Sequence, residues 1–110
     1  MSGKFPWFAA RLLYEACIED EGPSLFEERI VVLRSNNGVE AAEKKAQKLG
    51  KAASDEYQNG AGESVAWRFK EVLEVVQLNQ SSIEDGTEVY HHYLNADEVE
   101  NMRQSLKSGL

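Results

Sequence analysis

The chain has 110 residues, 12 Lys and Arg against 19 Asp and Glu, a net charge of −7, and 42% hydrophobic and 28% charged residues. This is the composition of one soluble globular domain, too short for a two-domain enzyme and long enough to hide about two-thirds of its unfolded surface without a metal or disulfide staple. The single cysteine, Cys17, excludes an internal disulfide and fits a reducing cytosol, and the acidic balance argues against nucleic acid and anionic membranes, which both require a positive field.

Residues Trp7 to Ile18 form the first strand, with Phe8, Ala10, Leu12, Tyr14, Ala16 and Ile18 on one face at period two. Trp7, Ala9, Arg11, Leu13, Glu15 and Cys17 make up the other, mixed face. Glu19 to Ser24, centred on Gly22-Pro23, reads as a turn, and Leu25 to Arg34 resumes as a strand, giving an antiparallel hairpin. Ser35-Asn36-Asn37-Gly38 then breaks the pattern and offers an N-cap. From Val39 to about Tyr57 the alanines and leucines recur at helical spacing, with Lys44, Lys45, Lys48 and Lys51 on the remainder. Gly50 weakens that helix by about 1 kcal/mol relative to alanine and allows a kink or early end.

Asn59-Gly60-Ala61-Gly62 closes the segment as a loop, and Ser64 to Leu78 is a third, bent strand. Glu71 falls on its apolar face if the period holds, so it marks either a β-bulge or a paired buried carboxylate, and the cost of burying a charge favours the bulge. After the polar loop Asn79 to Gly86, the alternation from Thr87 to Leu94 predicts a fourth strand. Asn95 then caps a helix from Ala96 to about Lys107, whose stripe is Val99, Met102, Arg103 and Leu106. The expectation is one α+β domain over residues 1–110: two layers, an antiparallel sheet of about four strands with helices on one face, in the order ββαββα, with strand order open.

The familiar chemical motifs are missing. No Walker loop, HExxH, CxxC or GxSxG occurs, so no cofactor is expected. His91 and His92 would point to opposite faces of a strand and could not share one ion, so no metal is expected. Glu88, Tyr90 and His92 share a face and form a candidate polar cluster, with a dimer contact or a solvated face as the plainer account. Trp67-Arg68-Phe69-Lys70 interleaves rings with cations as single-strand binders do, but its alternation sends the rings inward. The start of the chain lacks the apolar core and cleavage site of a signal peptide, and no stretch is long enough to span a bilayer. A cytoplasmic location is expected.

Charge is unevenly spread. Glu19, Asp20, Glu21, Glu27 and Glu28 gather on the first hairpin as a candidate acidic partner surface, and no Lys or Arg occurs among the acids from Glu84 to Glu100. Such a layout suits a basic partner or a second copy.

Trp7-Phe8-Ala9-Ala10-Arg11-Leu12-Leu13, Leu25 to Leu33, the helix from Glu40 to Gly50, Tyr57-Gln58-Asn59, Val65 to Phe69 and Asp85 to Tyr90 together resemble a family of short bacterial proteins catalogued as a domain of unknown function, family 4288, over about residues 7–94. The resemblance implies membership and no activity, and it assigns no functional residues. Three functions follow as expectations. The first is a non-enzymatic protein-binding or regulatory module acting as a homodimer. The second is an immunity-type inhibitor holding a basic toxin through the acidic surface. The third is a small enzyme using Glu71, His91 or His92 with Tyr90, which requires those side chains to converge.

Overall fold

A computed structural model describes residues 6–18, 25–36, 38–58 and 60–107. The elements are β1 (Trp7–Ile18), β2 (Leu25–Arg34), α1 (Gly38–Ala52), β3 (Asp55–Gln58), β4 (Ser64–Gln77) and α2 (Ala96–Lys107). All strand pairs are antiparallel, in the order β2-β1-β4-β3, so three long strands carry the sheet and a four-residue strand edges it. The α+β class and the first hairpin stand as expected. The turn from Glu19 to Ser24 lies outside the described residues, as does Asn37 of the expected N-cap.

The inner face of the sheet is sealed by α1. Phe8, Ala10, Leu12 and Tyr14 of β1 alternate into one core with Leu33 of β2 and Ala42 and Ala46 of α1. Trp67, Phe69, Val72 and Val75 of β4 pack against it. Burying a side chain such as Phe8 or Leu12 contributes about 1.5–3 kcal/mol. Ala42, Ala46 and Gly50 turn the smallest residues of the helix toward the strands. At Gly50 the approach is closest, since a Cβ there would lie 2.4 Å from Phe69 Cε1. The Gly50 carbonyl also accepts a 2.8 Å hydrogen bond from the Tyr14 hydroxyl, and Tyr14 and Phe69 meet edge to face at 5.7 Å. The glycine therefore serves packing, and the helix runs on through it to Ala52.

Two predicted elements need correction. The helix ends at Ala52 rather than near Tyr57, and 55–58 instead forms β3 on the edge of β4. There the Ser54 hydroxyl accepts the Phe69 amide at 3.1 Å, fixing the exit of the helix against β4. The segment Thr87–Leu94 is not a strand. Its alternation is real, but it passes over the face of the sheet instead of along an edge, so no ladder forms. The ββαββα elements as the sequence pattern assigned them are thus not the ones that form.

Nor do both helices cover one face. Among the described residues α2 packs against none of the other elements. The radius of gyration, 17.0 Å, exceeds the value of about 13 Å for a compact chain of this length, consistent with a helix held away from the body.

Glu71 lies at a bulged stretch of β4, as the broken period suggested. The β1–β4 register slips between Arg11 and Leu12 and again between Leu13 and Tyr14, leaving Leu73 and Lys70 unopposed. The two slips turn Val72 and Val75 inward and leave Glu71 exposed opposite Leu13.

Candidate functional site

The outer face of the sheet carries the polar chemistry. Arg11 stands on the middle strand, directly opposite Ile30 of β2 on one side and Glu74 of β4 on the other. Its Nε donates to Glu28 Oε2 and its Nη1 donates to Glu74 Oε1 at 3.1 Å, so one guanidinium ties three strands together. The segment following β4 returns over this face and sets Tyr90 on the same carboxylate, its hydroxyl donating to Glu74 Oε1 at 2.6 Å. The Arg11 guanidinium lies 5.4 Å from the Tyr90 ring centroid. His92 Nδ1 is 3.1 Å from the Tyr90 oxygen. The phenolic hydrogen is given to Glu74, which leaves the Tyr90 oxygen free to accept from His92 Nδ1 in the tautomer that carries a proton there.

The electrostatics follow from these contacts. The Tyr90 hydroxyl and then Arg11 hold the Glu74 carboxyl below its ordinary range. Burial and the neighbouring Glu74 push the Tyr90 phenol up, and hydrogen bonding to Glu28 raises Arg11 further. At neutral pH Glu74 is therefore a carboxylate and Tyr90 a neutral phenol. Each is shifted away from use as a general acid or general base, respectively. The cluster fastens the returning segment to the sheet.

The sequence-derived candidates separate. Tyr90 and His92 come together, with ring centroids 5.2 Å apart. Glu88 leaves them and pairs with His91 at 3.4 Å. Glu88, Tyr90 and His91 line a small cleft with Val76, Gln77 and Leu78. Glu71 lies elsewhere, in a groove with Lys51, Ser54 and Lys70, so Glu71, His91 and His92 do not converge as the enzymatic reading requires. Among the described residues no three His, Cys, Asp or Glu side chains group as metal ligands, and no helix is long and apolar enough to cross a membrane.

Of the acidic surface, Glu19, Asp20 and Glu21 lie outside the described residues. Glu27 is held by Arg29, which also reaches the Ala53 carbonyl at 3.4 Å and stacks 3.9 Å from the Tyr14 ring. Glu28 is held by Arg11. Both carboxylates are already answered by arginine.

The sequence pattern does not single out Arg11 and Glu74 as site residues. Opposite charges on two long strands were the available signal, but the two bulges hide which residues face each other.

Beside the cluster the outer face turns apolar and open. Phe26, Ile30 and Val32 of β2 are 56%, 45% and 37% exposed, and β2 is an edge strand. Ala9, opposite Val32, is 1% exposed.

The family described as Domain of unknown function (DUF4288) matches residues 7–91, from β1 through His91 and stopping short of α2. No curated protein and no solved structure matches the chain.

Proposed function

The chain belongs to the DUF4288 family, whose description assigns no activity, and we propose that it is a non-enzymatic protein-binding module that works as a homodimer, two copies joining β2 edge to edge. The observation that carries this reading is that β2 is an open edge whose sequence complements itself. Strands of this kind are usually protected by charge, proline or a covering loop. Here Ile30, Val31 and Val32 occupy the middle of the edge strand.

An antiparallel pairing centred on Val31 sets Ile30 of each copy opposite Val32 of the other, on the outer face. The same register sets Glu28 opposite Arg34, so charges meet with opposite sign at both ends of the seam. A slip by two residues would lose the Glu28–Arg34 match.

Sedimentation velocity across a concentration series tests the reading. The wild-type chain is expected to shift from monomer to dimer, and Ile30→Asp to weaken dimerisation by at least about tenfold. Ile30 is already exposed in the single copy, so the unfolding midpoint of the monomer is expected to stay within about 0.5 kcal/mol. A wild-type chain that sediments as a monomer at every concentration overturns the proposal.

A further inference from the structure

We propose that α2 is a dimer clasp: it crosses the seam between the two β2 strands and seats its apolar stripe on the Ile30–Val32 pairs contributed by both copies. The inference rests on the β2 homodimer and adds to it an occupant for the outer face.

A row of side chains crosses the outer face of the sheet. Glu74, Arg11 and Ile30 face one another through consecutive strands, and Tyr90 is fastened at the Glu74 end of that row. In the Val31-centred dimer the row continues from Ile30 to Val32 of the partner subunit. The chain leaving Tyr90 therefore starts at one end of a line that leads to the seam.

The lengths agree. From Glu74 to the seam is between two and three strand spacings, about 12 Å. The residues from Tyr90 to Ala96 span up to about 20 Å when extended. The 12-residue helix is about 18 Å long, and its stripe from Val99 to Leu106 covers about 10 Å, or two strand spacings.

In a single copy the row stops at Ile30 on the sheet edge, and a helix about 10 Å across set there would hang half its underside in water. That accounts for the state of α2 in one copy, where it touches no other element and leaves Met102 and Leu106 54% and 78% exposed. A second copy supplies the missing half of the platform. The twofold axis then lays two clasps side by side. One lies on each Ile30–Val32 pair, with rows about 7 Å apart along the strand, tighter than the about 8–10 Å of ordinary helix packing.

The test uses the full chain. Met102→Asp with Leu106→Asp is expected to weaken the dimer at least about tenfold, with the monomer's unfolding midpoint unchanged. Site contact is read separately. Chains carrying Cys17→Ser with Val32→Cys are mixed with chains carrying Cys17→Ser with Met102→Cys and treated with a short bismaleimide. A heterodimeric adduct between the two pools supports the clasp. An undiminished dimer with no such adduct overturns the clasp and leaves the β2 dimer standing. In a separate chain carrying Cys17→Ser with both Val32→Cys and Met102→Cys, an adduct confined to single chains also overturns it, by placing α2 over its own Val32. A wild-type monomer at all concentrations removes the dimer reading and the clasp with it.

Discussion

The two faces of β1 use one strand for opposite purposes. Inward, Phe8, Leu12 and Tyr14 are exposed by no more than 1%, and the helix above them presents alanine and glycine so that backbone can approach backbone. Outward, Arg11, Leu13, Glu15 and Cys17 stay half-buried, and the contacts are ion pairs, Arg11 with Glu28 and Glu74 and Lys70 with Glu15. The inner face is covered by α1 over its middle, with Leu25 at the hairpin end 56% exposed. Among the described residues, the segment behind β4 covers part of the outer face, which opens toward β2. Stability therefore resides on one face, and the proposed dimer contact lies on the other.

The sharpest way to break that division is to damage the inner face alone. Leu12→Ala removes a fully buried side chain from a close-packed layer and is expected to cost about 3 kcal/mol in urea unfolding. Gly50→Ala is expected to cost less, about 1 kcal/mol. The new methyl forces the Phe69 ring, against the helical preference of alanine for the site. If Gly50→Ala instead stabilised the protein, the close approach of α1 to β4 would not be what holds that face together.

The inner face was also the legible one. Period-two alternation in β1 and helical spacing of alanines in α1 each report burial on a single side, and both are strictly local signals. The outer face depends on which residues of separate strands stand opposite, and two bulges in β4 move that register where no local pattern records it. Glu71 betrayed that a bulge was present; it did not reveal that Arg11 and Glu74 meet. The same limit explains the errors at 55–58 and 87–94. A short edge strand is defined by its neighbour, and an alternating segment takes its place from whatever ladder is vacant. Tyr90 and His92 were found because neighbours two apart on an extended chain share a side whether or not a strand forms.

On the outer face, Tyr90→Phe removes the hydrogen bond to Glu74 while keeping the ring over Arg11. It is expected to cost about 1 kcal/mol of local stability, read as faster amide exchange across residues 84–94 with protection of β1 and α1 unchanged. The pH dependence has a definite sign. The Glu74 carboxyl is depressed in the folded protein, so its contribution is present at neutral pH and is lost as pH falls through its folded value, below the ordinary 4.5. The Tyr90 phenol is raised, so its contribution is present below about pH 10 and is lost as pH rises beyond that. The segment should loosen at both extremes in the wild type. In Tyr90→Phe the alkaline loosening disappears, and if it persists, another group fastens the segment.

The smallest effect belongs to α2, and it bears most directly on the difference between a finished and an unfinished surface. Asn95 and Glu98 form a reciprocal cap, the Glu98 amide donating to Asn95 Oδ1 at 2.8 Å and the Asn95 amide donating to Glu98 Oε1 at 2.9 Å. A helix of this length that packs against no other element among the described residues is marginal in water, and such a cap contributes about 0.5–1 kcal/mol to it. In dilute solution Glu98→Ala is therefore expected to lower the helicity of residues 96–107, visible in their carbon chemical shifts, while the unfolding midpoint of the sheet stays put. If the proposed clasp forms, packing across the seam takes over from the cap at concentrations where the chain is dimeric, and the loss of helicity is expected to shrink. A loss that is equal at both concentrations would mean that α2 gains nothing from the second copy, and the outer face would need another occupant.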